Sequence, residues 1–245
     1  LFVIRGGFSV IKKLLLTLIK IFFPPACPLC GTTFPNDYSA VFCAECLDGF
    51  TSLPRAQCHR CALPFAGKFN SSHLCGRCIK KSPVFTKVYA VGLYESSLRH
   101  SIHQFKFSGK VGLDRPLGSL LEQAIASDLK VDLVVPVPLQ QKRLQQRSYN
   151  QALLLAREVA RIRRLPLKET LLAKIRETES QQGLSAGDRV KNLHGAFQLR
   201  EKLSGQKILL IDDVMTTGAT VAACSQVLIE GGAAEVYIAV IGRAA

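Results

Sequence analysis

Eight of the chain's nine cysteines fall within residues 27–78 as four Cys-x-x-Cys pairs: Cys27/Cys30, Cys43/Cys46, Cys58/Cys61 and Cys75/Cys78. No other feature limits the fold as sharply. In a small secreted chain such cysteines would suggest disulfides, but a Cys-x-x-Cys turn points two thiolates at one ion, and two turns complete a closed tetrahedral site. The segment also repeats, with Cys27-Pro-Leu-Cys-Gly31 opening one unit and Cys58-His-Arg-Cys-Ala-Leu-Pro64 opening the next. Two consecutive zinc ribbons follow, each holding one structural Zn²⁺. Spacing alone also permits an interleaved pairing, first with third and second with fourth. Thioredoxin-like redox chemistry uses one such pair opening a helix beside a strand, not four in succession, and an iron–sulfur cluster is the weaker four-thiolate alternative. With eight thiols present, His59 and His73 read as surface residues. Four sulfur ligands leave no open position, so the metal's role is folding, on the order of 10–16 kcal/mol for a unit with little core of its own.

At 245 residues the chain has room for one medium domain and one small one. Hydrophobic residues at 48% and charged ones at 20% exclude a disordered or collagen-like chain. Thirty-two Lys and Arg against eighteen Asp and Glu leave a net charge of +14, which calls for a polyanionic partner: nucleic acid, a phosphorylated ligand or an acidic membrane surface. The excess is concentrated. Between Asp48 and Glu95 there is no acidic residue, while Arg55, Arg60, Lys68, Arg77, Lys80, Lys81 and Lys87 are all present. Lys68, Arg77, Lys80 and Lys81 are candidate nucleic-acid contacts, with Lys106, Lys142, Arg143 and Arg147 extending the groove. A solvated basic surface, or a face packed on the second domain or a partner, is the plain alternative. Arg157, Arg161 and Arg164 form one helical face that reads as solvated.

No membrane span fits. The longest uncharged runs, residues 21–36 and 214–229, have 16 residues each, and about 20 apolar residues are needed. Residues 12–23 imitate a signal peptide, yet Lys13, Thr17 and Lys20 make one polar stripe. We therefore expect an amphipathic helix docked on the body, with a targeting or membrane-surface segment as the alternative.

From about Thr86 short apolar runs alternate with helical segments, the pattern of a mainly parallel sheet covered by helices. Strands are expected at 88–93, 133–137, 171–175, 208–211 and 236–241, and helices at 97–107, 117–128, 150–164 and 220–230. This gives an N-terminal helix over residues 1–24, a cysteine-rich domain over 25–84 and an α/β domain over 85–245. Ligands of open parallel sheets bind beyond the carboxyl ends of the strands. There, in Ile208-Leu-Leu-Ile-Asp-Asp-Val-Met-Thr-Thr-Gly-Ala-Thr220, two aspartates end a buried strand and a small-residue loop enters a helix. Thr216, Thr217, Gly218, Ala219 and Thr220 offer successive N–H groups and hydroxyls at a helix N-terminus, a site for a phosphate dianion, and Gly218 lets backbone approach it. Asp212 and Asp213 would repel that anion unless they face sugar hydroxyls or a divalent cation. No P-loop and no Rossmann fingerprint is present. Cys224 reads as core, and the His100/His103 pair as packing or surface.

This run resembles the phosphoribosyl-diphosphate (PRPP) loop of type I phosphoribosyltransferases. The resemblance implies that Asp212 and Asp213, the expected catalytic pair, contact the ribose hydroxyls while Thr216 to Thr220 grip the 5′-phosphate. It also implies that Pro136, Val137 and Pro138, with Arg143 and Arg147, hold a diphosphate carrying Mg²⁺. The polar stretch 177–192 matches the loop that closes over such sites. Together with the double zinc ribbon, Phe105-Lys-Phe-Ser-Gly109, Arg147-Ser-Tyr-Asn-Gln151, Gln182-Gly-Leu-Ser185, Arg189 and Asn192, the chain looks like a member of the ComF family from Phe22 onward. It departs at Ser148, where the family commonly has Gly. The family implies a type I phosphoribosyltransferase-like α/β fold behind a double zinc ribbon, and a role in DNA uptake for natural transformation. PRPP, single-stranded DNA and other DNA-uptake proteins are the expected partners. The expected location is the cytoplasm, with peripheral attachment to the inner face of the membrane open. Two readings stand together: a PRPP- and DNA-binding protein, and an active phosphoribosyltransferase on an unknown small acceptor with purely structural zinc.

Overall fold

The structure is a computed structural model that describes residues 24–34, 41–65, 72–107, 110–176, 193 and 195–245. The helix expected at 12–23, Lys68, Ser108, Gly109 and the 177–192 stretch lie outside the described residues. The chain forms two compact units, Leu1–Asp48 and Gly49–Ala245.

The sequence repeat is a repeat of backbone hydrogen bonds. Gly31 donates to the Cys27 carbonyl at 2.8 Å and Cys27 to that of Thr32 at 2.7 Å; likewise Ala62 donates to Cys58 at 2.9 Å and Cys58 to Leu63 at 2.8 Å. The residue after the second cysteine is left-handed in both turns, Gly31 at φ 80° and Ala62 at φ 53°. Glycine adopts that conformation freely, and alanine at a cost of about 1 kcal/mol. The second and fourth pairs each open a short helix, α1 (Ala44–Asp48) and α2 (Gly76–Lys80). The second ribbon lies in the same compact unit as the α/β domain.

In that unit β1 (Lys87–Leu93), β2 (Leu133–Pro136), β5 (Lys207–Met215) and β6 (Glu235–Arg243) form a parallel sheet in the order β1-β6-β5-β2. Helices α3 (Ser96–Phe107), α4 (Asp114–Ala124), α5 (Gln141–Arg147), α6 (Gln151–Arg163) and α7 (Ala219–Glu230) complete it. Ile208, Leu210, Val236, Ile238 and Val240 share one core with Val221, Cys224 and Leu228 of α7. Leu209, Ile211, Ala239 and Ile241 alternate to the other face, where α4 and α6 pack on each other. Burial of both faces is why these strands read as continuous apolar runs. Among the described residues no helix is long and apolar enough to cross a membrane.

The open edge of β1 is covered by the second ribbon and its lead-in. Val88 donates to the Arg60 carbonyl at 2.9 Å and Leu93 to that of Thr51 at 2.8 Å, which satisfies groups that an edge strand leaves free.

Four elements differ from expectation. β5 runs on to Met215 rather than stopping at Ile211, because β6 supplies partners to its end: Asp212 opposite Val240, Val214 opposite Gly242, Met215 opposite Arg243. The strand expected at 171–175 is not in the parallel sheet. Its core, β3 (Leu172–Lys174), pairs antiparallel with β4 (Phe197–Leu199), a partner set by distant sequence. Helix α5 was not anticipated, since Gln141 to Arg147 carry one apolar residue. Helix α4 starts earlier than expected, at Asp114, with Pro116 in the first turn, where a missing N–H breaks no helix bond.

Gly92 is required at the ribbon seam. A Cβ there would stand 2.4 Å from the Thr51 carbonyl oxygen, a backbone atom with nowhere to move. Gly92→Ala is expected to cost about 1–3 kcal/mol, lowering the thermal midpoint by about 3–10 °C in differential scanning calorimetry.

Candidate functional site

Strand β2 ends at Pro136, opposite Ile211, and Val137 makes the last bond to β5, N–H to the Ile211 carbonyl at 2.9 Å. Beyond that point β5 is paired, among the described residues, on its β6 side alone, which leaves an opening in the sheet on its other flank. Asp212 and Asp213 stand at this opening, both partly exposed. The Asp213 N–H donates to Asp212 Oδ1 at 2.8 Å, and Asp213 Oδ1 pairs with Lys106 Nζ at 2.7 Å. Burial, and next the Asp213 charge, push the Asp212 carboxyl up to about 7, against weaker pulls from the Asp213 N–H and Lys106. Two adjacent carboxylates at an open flank suit hydroxyl donors or a cation.

The loop that follows has the predicted shape. Thr216, Thr217 and Gly218 lead into α7, whose cap is Gly218 at φ 83°. A side chain there would be strained and would meet Met215 Cε at 2.5 Å, so only glycine fits. Thr217 Oγ1 accepts from the Ala219 N–H at 3.4 Å. Thr216 is exposed, Thr217 and Thr220 partly so, and Ala219 is buried.

Facing this loop, the Arg147-Ser-Tyr-Asn-Gln151 motif proves to be a brace. Asn150 caps α6 through Oδ1 to the Ala152 N–H at 3.0 Å, while its Nδ2 donates to the Val137 carbonyl at 3.1 Å. A cap of this kind contributes about 1 kcal/mol. Tyr149 donates its hydroxyl to the Phe105 carbonyl at 2.5 Å, tying down the end of α3 that carries Lys106. Arg147 lies over the Phe107 ring, 4.6 Å from its centroid, and reaches Gln151 Oε1 at 3.4 Å. Ser148, where the family resemblance led us to expect glycine, is left-handed at φ 63°, a conformation glycine adopts freely. Pro136 and Val137 are buried and Pro138 half-buried. The backbone of Arg143 lies in α5; its side chain is outside the described atoms.

The eight cysteines converge in two sets, Cys27, Cys30, Cys43 and Cys46, and Cys58, Cys61, Cys75 and Cys78, with all four sulfurs of each within 4.8 Å of one another. Consecutive pairing is therefore correct and the interleaved one is not. A Zn–S length of about 2.3 Å gives a tetrahedron edge of about 3.8 Å. The Cys30–Cys43 and Cys61–Cys75 separations are 3.5 and 3.7 Å, so both sets fit Zn²⁺. Their thiols also disturb one another. Burial and neighbouring thiols push Cys46 and Cys78 well up, whereas Thr32 draws Cys30 down to about 6. The second set is buried throughout; in the first, only Cys27 is. His59 and His73 are exposed and belong to neither set.

Of the remaining basic candidates, Arg77, Lys80 and Lys81 are exposed on and after α2. Lys106 is held by Asp213 instead of facing open solvent. Arg157 is engaged bidentately by Glu169, and Arg161 by Glu158.

One residue of the site was missed from sequence. Arg243, fully buried at the end of β6, donates from Nε to the Cys61 carbonyl at 2.9 Å. Its Nη1 donates to the carbonyls of Met215 at 3.1 Å and Thr216 at 2.7 Å, and to that of Ala244. A lone cation closing an otherwise apolar strand was the available signal.

A cysteine tetrad packed on a parallel sheet that carries an acid pair and a glycine-capped loop, together with a further tetrad in its own unit, defines a zinc-ribbon phosphoribosyltransferase-type protein. Residues 18–79 match the double zinc ribbon domain and residues 149–244 the phosphoribosyl transferase domain. The chain is 33% identical to Competence protein F of Haemophilus influenzae over 211 residues, covering 82% of this chain and 90% of that protein. It is 33% identical to DNA utilization protein YhgH of Escherichia coli, covering 88% and 95%. Competence protein ComFC of Bacillus subtilis is 27% identical over 85% of this chain and 90% of its own length. The chain belongs to the ComF family of competence and DNA utilization proteins.

The raised Asp212 value has a stability consequence. Folding penalises its charge, so the cost is absent below the ordinary value of 3.8, grows through the interval up to about 7, and stays constant above it. Asp212→Asn removes that cost. Its thermal midpoint is expected to exceed wild type by more at pH 8 than at pH 5; an equal or inverted gap in calorimetry contradicts the assignment.

Proposed function

We propose that the chain binds PRPP in the cleft beside β5, binds single-stranded DNA on its basic surface, and serves DNA uptake. The observation that carries the first part is the pairing of two adjacent carboxylates, beside the flank of β5 that β2 leaves, with a helix N-terminus whose glycine cap comes five residues on. The carboxylates suit ribose hydroxyls, and the N–H groups and hydroxyls of Thr216 to Thr220 suit the 5′-phosphate. Val137 and Pro138, held by Asn150, with the Arg147 guanidinium nearby, form the side that would face the diphosphate. Among the described residues no third carboxylate joins Asp212 and Asp213, in keeping with Mg²⁺ arriving on the diphosphate. Lys106 would yield Asp213 to the ribose.

Support for the DNA reading comes from the +14 charge, from exposed Arg77, Lys80 and Lys81, and from Phe107, a residue 59% exposed with Arg147 over its ring. An exposed aromatic beside a guanidinium is a base-stacking platform, and the cations follow the backbone. The relatives' names, competence and DNA utilization, support a role in DNA uptake, and the cytoplasm near the membrane's inner face is the location that goes with that reading.

The specific observation favouring turnover as well is the intact acid pair beside the loop, Asp212 the more deeply set of the two. In transfer, the bond from ribose C1 to diphosphate breaks as the acceptor bonds to C1. The charge leaves on the diphosphate, so positioning and electrostatics suffice without a protein nucleophile.

Calorimetry tests both bindings. PRPP with Mg²⁺ is expected to bind wild type and to lose at least about tenfold in affinity in Asp212→Asn/Asp213→Asn. Oligothymidylate affinity should fall steeply between 50 and about 200 mM salt, and fall about tenfold in Phe107→Ala. PRPP binding that persists in the double variant removes the cleft assignment, and salt-insensitive DNA binding removes the basic surface. Diphosphate release in the presence of candidate acceptors separates turnover from binding alone.

A further inference from the structure

We propose that Arg243 locks the second cysteine tetrad to the anion loop, so that a filled tetrad holds the loop in its anion-receiving form. The link is physical and continuous: one guanidinium bonds the Cys61 carbonyl through Nε and the Met215 and Thr216 carbonyls through Nη1. In a trans peptide the C=O and the following N–H point in opposite directions. Fixing the Met215 and Thr216 carbonyls on the guanidinium therefore turns the N–H groups of Thr216 and Thr217 away from it, as donors for an anion. The proposal rests on the PRPP reading only for the identity of that anion.

Charge makes the link conditional on the metal. Arg243 is wholly buried, and among the described residues no carboxylate pairs with it. Its Nη2 has no hydrogen-bond partner. A buried cation needs a counter-charge. Four thiolates around Zn²⁺ carry a net −2, and the guanidinium is bonded to the carbonyl of one of those residues, Cys61, while the Arg77 charge acts in the opposite sense. With the tetrad empty that counter-charge is lost, and the carbonyls that Arg243 holds are released. The first tetrad belongs to the other compact unit and supplies none of the carbonyls that Arg243 bonds.

Hydrogen exchange reads the lock without any ligand. The amides of Ala222 and Ala244, bonded to the Gly218 and Met215 carbonyls at 2.9 and 3.0 Å, report on the loop, and those of β2 and α6 serve as folding controls. In zinc-loaded full-length protein, Arg243→Met is expected to speed exchange of both reporters at least about tenfold while the controls keep their protection, with Arg243→Lys intermediate. Cys75→Ser/Cys78→Ser should do the same, and Cys27→Ser/Cys30→Ser should not. Unchanged reporters in Arg243→Met overturn the proposal, as does equal loosening by both cysteine pairs. Should Arg243→Met fail to fold, stepwise chelation of wild type decides. Loosening must coincide with alkylation of Cys58, Cys61, Cys75 and Cys78, and any other timing overturns the link. If the loop loosens as stated but wild type binds no PRPP, the lock stands and the PRPP reading fails.

Discussion

The parallel pairing of β5 with β6 past the end of β2 is the constraint from which the site follows. Had β5 stopped with its other neighbour at Ile211, the two aspartates would sit on an unsupported loop. Because β6 continues to Arg243, the acid pair is fixed to a rigid strand on one side while its other flank stays open. The same extension brings Arg243 beneath the loop and beside Cys61, so the ribbon, the sheet and the loop meet at one buried guanidinium. Placing a recognition group on a paired strand gives it more precise geometry than a free loop would.

The cysteine module and the sheet are likewise not independent. A parallel sheet of four strands leaves an edge, and β1 satisfies its edge with the carbonyls of Thr51 and Arg60. Gly92 allows that close approach. The ribbon therefore does two jobs, covering the edge of the sheet and supplying the carbonyl that anchors Arg243.

Much of this was legible in the sequence because its causes are local. Cys-x-x-Cys spacing and the glycine before α7 depend on neighbours a few residues away and appear where they were read, whereas the acid pair lies inside β5 rather than past its end. Features set by distant pairing were not legible. β3 reads as a strand of the main sheet, yet its partner β4 comes from beyond residues 177–192 and draws it into a separate hairpin. α5 lacks the apolar period that marks a packed helix, being mostly exposed. Lys106 looked like a free surface cation because nothing in its own segment reveals that Asp213 stands within 2.7 Å. Arg243 was invisible for the same reason, since its four acceptors come from three parts of the chain.

The unequal burial of the two tetrads has a consequence for a cell short of metal. Cys30 is exposed and Cys43 and Cys46 are half-covered, whereas every sulfur of the second set is shielded. Under scarcity the first ribbon would surrender its ion to competing scavengers first, while the second, buried against the sheet, keeps its own. Such a protein passes through a half-metallated stage in which the second tetrad, and the sheet edge that its ribbon covers, are still intact.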